Sequence, residues 1–268
     1  MNRLTNPPER HLRDAFLQHG RLVSALMLRD IKTRFGATYF GFLIGLILPL
    51  GHIGAVLTIY IFLGRRAPIG TDVGLYLATA IVPFIIWSYT HQKVMQSLSQ
   101  NRSLTYFPIV KFADIVIARG LVELLNATLI VCVVATAFSI LVSDLFIATP
   151  PAFLYTLLLA YALGVSTGFV FGLLAIVAPA VMLVGFVIIP LYWGTSGVLF
   201  IPGALPEQAR WVVAIFPLSH IVDFGRTAFY VSYLSDYPSL LYVNVVIVGN
   251  IVIGMATERF LRVPLTTR

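Results

Sequence analysis

Two ionisable side chains interrupt otherwise uncharged runs of this sequence: His52, beside Gly51 and near Gly54, and Glu123, four residues after Arg119. Either could move a proton at mid-membrane, where an ionisable group costs about 3 kcal/mol or more and is functional when found. The plainer chemistry is structural. The Arg119–Glu123 spacing predicts an i,i+4 ion pair on one helix face, and His52 among glycines reads as a packing histidine. The sequence holds no Gly-x-x-x-x-Gly-Lys-Ser/Thr and no His-Glu-x-x-His, so it offers neither a P-loop for nucleotide phosphates nor a zincin site. Any ATP dependence therefore requires another subunit. The single cysteine, Cys132, excludes a disulfide framework and reads as a small buried apolar residue. Paired carboxylates or a His/Asp cluster near either end of the runs, which an enzyme acting on lipid-linked sugars would need, are absent from the sequence.

Four further groups carry binding chemistry. Arg29, Lys32 and Arg34 precede the first apolar run and have two readings, a topology determinant alone or that plus a contact for the phosphate of a lipid-linked substrate. Tyr60, Tyr192, Trp193, Trp87 and Tyr161 could stack on the apolar faces of sugar rings, or form interfacial belts and ordinary core. The stretch 97–107, ended by Pro108, reads as a connecting loop or as a docking knob that exposes Leu98, Leu104, Tyr106 and Phe107. Gly41/Gly45, Gly164/Gly168 and Gly168/Gly172 have the small-xxx-small spacing of close helix contact, within one subunit or between two.

The elements that must position these groups follow from composition. The chain has 268 residues, 59% of them apolar and only 11% charged, with a mean hydropathy of +0.92. A soluble domain carries roughly 25% charge, so this chain reads as an all-α integral membrane protein. Its net charge of +7 is gathered at the two ends and in one central stretch, which suits anionic headgroups rather than nucleic acid. Six transmembrane helices are expected at about 40–63, 73–92, 117–143, 151–177, 180–201 and 237–257, with Trp87 and Tyr89 at a headgroup boundary and residues 91–119 taken as a polar loop running up to the third span. Residues 145–206 contain no Asp, Glu, Lys, Arg or His; as one helix they would extend about 93 Å, and Ala178–Pro179 is the natural break.

Three flanking segments complete the plan. Residues 1–39 form a cytoplasmic N-terminus with a basic amphipathic helix at 10–35, whose Leu12, Phe16, Val23 and Met27 share an arc away from Arg10, Arg21, Arg29 and Lys32. With seven basic residues before the first apolar run, that run reads as a permanent anchor rather than a cleaved signal. Residues 207–236, polar yet rich in aromatics, dip into the outer face or lie on it, and 258–268 form a basic cytoplasmic tail. Basic residues number 7, 4 and 3 in segments 1–39, 91–119 and 258–268, against 4 in the intervening loops, which places both termini inside.

Three stretches resemble the permease subunit of a type-2 ABC exporter, and within that class the capsular polysaccharide export permeases of Gram-negative bacteria. They are LMLRDIKTRFGATYFG at 26–41, NRSLTYFPIVK at 101–111 and FPLSHIVDFGR at 216–226, the last with Phe216 where the family commonly has Asn. The resemblance implies a bacterial inner-membrane homodimer, two separate cytoplasmic ATPase subunits that carry the ATP and Mg, and a lipid-linked polysaccharide as cargo. It also implies a periplasmic co-polymerase and outer-membrane export proteins as further partners, and no cofactor on this chain. By position, Asn101, Arg102, Ser103, Leu104, Tyr106 and Phe107 become the coupling helix seated in the ATPase. Residues 207–233, with Trp211, Pro217 and Arg226, become re-entrant outer helices that close the channel, and Tyr60, Tyr192 and Trp193 remain candidates for the glycan path. O-antigen and teichoic acid exporters share this plan, and a small-molecule or drug exporter of the same superfamily is the other alternative.

Overall fold

A computed structural model describes residues 12–35, 39–142, 147–235 and 237–266. Every regular element among them is helical: α1 (Leu12–Phe35), α2 (Tyr39–Phe62), α3 (Val73–Gln100), a 3₁₀ turn (Arg102–Tyr106), α4 (Phe112–Leu141), α5 (Pro150–Val177), α6 (Ala180–Thr195), a second 3₁₀ turn (Pro202–Ala204), α7 (Glu207–Ala214), α8 (Pro217–Thr227) and α9 (Leu240–Thr266). Five helices, α2, α3, α4, α5 and α9, contain stretches long and apolar enough to cross a membrane. α6 is apolar but has 16 residues, about 24 Å of helix, short of a hydrocarbon core of about 30 Å.

α3 is the axis of the fold. Asp72 caps its start by accepting the Leu75 N–H at 2.6 Å, and its side chains are buried on nearly every face, with Tyr76, Ile81, Phe84, Trp87, Met95 and Leu98 almost completely enclosed. A helix apolar all round belongs at the centre of a bundle. α5 packs along it more extensively than any other pair of helices, and the glycine stripe is the reason. A Cβ on Gly164 would lie 2.8 Å from the Trp87 carbonyl oxygen, and one on Gly168 2.7 Å from that of His91. The stripe thus brings two backbones together within one chain.

The polar stretch from 91, expected as a loop, is helix as far as Gln100. His91, Val94, Met95 and Leu98 face the interior, and His91 is held between Thr167 Oγ1 (3.0 Å) and the Gly185 carbonyl oxygen (3.1 Å). Trp87 does not sit at a headgroup boundary either: it is enclosed, with its ring stacked 4.4 Å from Tyr192 and 5.6 Å from His91. Cys132, expected to be buried, is exposed on α4, on a helix half whose outward side chains include Val133, Ile140 and Leu141. An apolar face suited to hydrocarbon has no need to hide a thiol.

At one end, α1 lies against α4. Leu22 and Leu26 pack onto a cluster that includes Leu98, Phe112 and Ile115, and Val23 is buried, while Phe16, from the same expected arc, is exposed. The start of α4 is tied twice. The Lys111 N–H donates to Asp114 Oδ2 at 2.8 Å, and the Phe112 and Ala113 N–H groups donate to the Glu258 carboxylate of α9 at 2.9 and 3.2 Å. A carboxylate there meets the positive end of the helix dipole. At the other end, α8 is inserted among α3, α5 and α9.

Candidate functional sites at the two ends of the bundle

The end carrying α1 and the first 3₁₀ turn holds the site residues predicted for coupling. Asn101 closes α3 with its N–H on the Ser97 carbonyl and leads into the 3₁₀ turn over Arg102–Tyr106. A tight 3₁₀ turn suits a short connector between two long helices. Tyr106 is 75% exposed and Phe107 61%, with Ile109 beside them also exposed. Large apolar side chains left outside on a fixed turn mark a contact surface. Leu98 and Leu104, expected in the same knob, are turned inward: Leu98 is fully buried and Leu104 packs on the Phe112 cluster. They anchor the turn from behind.

Next to this turn the charged residues form a chain. Asp30 Oδ2 accepts from Arg119 Nη1 at 2.6 Å, and Arg119 Nη2 lies 3.0 Å from Glu123 Oε1, so the expected Arg119–Glu123 pair exists and extends to α1. Arg29 Nη1 donates to Asn101 Oδ1 over 3.4 Å. Lys32 is exposed, and the side chain of Arg34 lies outside the described residues. An open cavity of about 340 Å³ is lined by Arg29, Asp30, Thr33, Lys93, Gln96, Gln100, Asn101 and Arg119. Lys93, Gln96 and Gln100 were absent from the predicted site. Their signal was available in the i,i+3 and i,i+7 spacing that puts 93, 96 and 100 on one face, once 91–100 is helix.

The opposite end is built on Arg226. Its guanidinium is fully buried in α8 and donates to the carbonyl oxygens of Phe200 (3.0 Å), Gly197 (2.6 Å) and Val198 (3.2 Å), and it lies 4.5 Å from the centroid of the Tyr76 ring. Residues 196–200 are non-helical, and Gly197, at φ +76°, takes a backbone conformation that suits glycine. Irregular backbone continuing a short membrane helix needs donors from protein, and Arg226 supplies them.

Asp223, also fully buried, accepts from the Tyr233 hydroxyl at 2.6 Å. Burial, reinforced by that hydrogen bond, pushes the Tyr233 phenol far above its ordinary value, and burial raises that of Tyr230 to about 12. Both stay protonated donors at any physiological pH. Pro217 opens α8 at its first turn, where a missing N–H is harmless. Phe216, standing where Asn would cap, instead sets its ring edge-on to Tyr192 at 5.2 Å. Trp211 on α7 is 70% exposed and lines a cavity of about 600 Å³ with Arg210, Tyr233 and Tyr237.

Of the three aromatic candidates for a sugar path, Tyr60 and Trp193 line one cavity of about 330 Å³ between α2 and α6, with Arg65 at its rim. Tyr192 is buried on Trp87 instead, because consecutive helical residues diverge by about 100°. His52 packs against Trp193: its ring stacks on the indole at 6.2 Å and its Nε2 accepts from the Trp193 N–H at 3.3 Å. No group of three His, Cys, Asp or Glu able to hold a metal occurs among the described residues.

These features define an all-helical integral membrane protein with an exposed aromatic turn at one end and a clamped, partly non-helical element at the other. The chain resembles capsule polysaccharide export inner-membrane proteins along most of its length. It is 28% identical over 245 residues to the polysialic acid transport protein KpsM of Escherichia coli, covering 88% of this chain and 92% of that one. It is 24% identical over 253 residues to the capsule polysaccharide export inner-membrane protein CtrC of Neisseria meningitidis, covering 91% and 92%. It is 24% identical over 244 residues to BexB of Haemophilus influenzae, a protein of the same description, covering 88% and 89%. No protein-family model matches the chain.

Proposed function

We propose that this chain is the transmembrane subunit of an exporter that moves lipid-linked capsular polysaccharide across a bacterial inner membrane. The observation that carries the reading is the end-to-end similarity to three capsule export proteins, which leaves no large part of the chain outside it. The chain works as a homodimer with both termini in the cytoplasm and α1 lying in the inner interface. α6 and residues 196–201 complete a sixth crossing, and 207–233 form the outer gate. Two cytoplasmic ATPase subunits hold the ATP and Mg, and the exposed Tyr106 and Phe107 dock into them. Their closure moves the turn, parts α2 from α6 beside Trp193, and opens a path past Tyr60 for a glycan whose lipid phosphate enters near Arg29, Lys32 and Arg34. Periplasmic and outer-membrane export proteins receive the chain beyond the gate.

Deleting this protein from its host should trap capsular glycan inside the cell, and re-expression should return it to the surface. The double variant Tyr106→Ala/Phe107→Ala should insert into the membrane at normal levels, fail to co-purify an ATPase subunit and export nothing. Normal surface glycan in the deletion strain overturns the assignment of cargo. Unchanged co-purification of the double variant overturns the docking role.

A further inference from the structure

The phosphate contact suggested by the sequence run Arg29, Lys32 and Arg34 has a different composition in three dimensions. We propose that an anionic phosphate group binds in the cavity between α1 and the end of α3, held by Arg29, Lys93, Gln96 and Gln100, and that its binding releases the coupling turn by drawing Arg29 away from Asn101. This rests on the exporter reading above and adds to it both a set of ligands and a signal.

The cavity, about 340 Å³ in volume and open on one side, has room for a phosphate monoester or diester. Apart from Asp30 and Thr33, its walls are donor-bearing: the guanidinium groups of Arg29 and Arg119, the Lys93 ammonium and the primary amides of Gln96, Gln100 and Asn101. Planar guanidinium and mobile ammonium groups together are the usual partners of phosphate oxygens. The carboxylate in the wall, Asp30, is committed to Arg119 at 2.6 Å. Arg119, 4% exposed, pairs with Glu123 as well as with Asp30, so the acid in the wall is already balanced by a cation.

The signal comes from Asn101, which belongs to two structures at once. Its side-chain and backbone N–H groups both donate to the Ser97 carbonyl, closing α3, and it is the residue from which the 3₁₀ turn bearing Tyr106 starts. Its Oδ1 receives Arg29 across 3.4 Å, beyond the usual range of an N–H···O bond. A contact that long is surrendered readily to a charged oxygen. Occupancy therefore unfastens α1 from the turn that carries the exposed aromatics, and a loaded transporter presents a different docking surface from an empty one.

The test uses the full-length chain in nanodiscs of phosphatidylcholine, titrated with dihexanoyl phosphatidic acid, inorganic phosphate or dihexanoyl phosphatidylcholine. Phosphatidic acid should bind, phosphatidylcholine should not, and Arg29→Gln or Lys93→Gln should each weaken binding about tenfold. Lys93→Arg should retain it, and Arg21→Gln, exposed on α1 outside the cavity, should leave it unchanged. Inorganic phosphate binding as well as phosphatidic acid makes free phosphate a sufficient ligand; binding of the lipid alone assigns the site to a lipid headgroup. Hydrogen exchange over 101–107 should rise on saturation.

Wild-type affinity in Lys93→Gln, or equal binding of phosphatidylcholine, overturns the site, and unchanged exchange over 101–107 overturns the signal. Melting of each variant alongside wild type separates lost binding from lost folding. Failure here, with glycan still trapped in the deletion strain, removes the pocket and leaves the exporter reading intact.

Discussion

Arginine is used in opposite ways at the two ends of this bundle. Arg226 is enclosed and spends its donors on three backbone carbonyls, whereas Arg29 is exposed and holds a single amide oxygen across a long contact. Arg119 stands between these extremes, buried but balanced by two carboxylates. The lesson is that a cation in a membrane protein is a fastener where it replaces the hydrogen bonds of a helix, and an adjustable contact where water can take its place.

The sharpest way to break that comparison is Arg226→Gln. Losing charge-assisted bonds to three carbonyls, with the buried oxygens left unpaired, should destabilise the chain by about 3 kcal/mol or more, read as a large drop in the melting midpoint of detergent-purified protein by size exclusion. A midpoint close to wild type would mean that residues 196–200 are held by something else. Asp30→Asn should have a smaller effect, about 1–2 kcal/mol, since Arg119 keeps Glu123 and a neutral amide can still accept; a loss as large as that of Arg226→Gln would make the α1 end of the bundle as rigid as the α8 end. Arg29→Gln should shift the midpoint by no more than about 0.5 kcal/mol. A substantial loss of stability in that variant would erase the distinction between the two arginines.

What the sequence revealed followed from the solvent. Hydrocarbon demands long uncharged stretches with internally bonded backbone, so the integral, helical character of the chain was plain from its charge distribution, and so was the pairing of Glu123 with Arg119 at helical spacing. What it concealed depends on neighbours distant in the chain. His91 looks like the start of a loop until α5 supplies Thr167 and α6 supplies the Gly185 carbonyl. Arg226 stands out in the sequence through its stretch at 216–226, but what it holds does not, because its partners are backbone carbonyls 26 to 29 positions earlier, and every residue type has one. Lys93, Gln96 and Gln100 escaped notice for a related reason: a polar stretch in a hydrophobic chain invites reading as a connector, although the face opposite those residues carries Val94, Met95 and Leu98 into the core.

Glu258 satisfies the first amides of α4 from 146 and 145 positions further along the chain. A ribosome must therefore make α9 before the start of α4 acquires its carboxylate. Chains cut short before this glutamate, even with every preceding helix threaded, would leave the aromatic turn next to α4 on an unsettled footing, so α9 doubles as a late inspection of the fold.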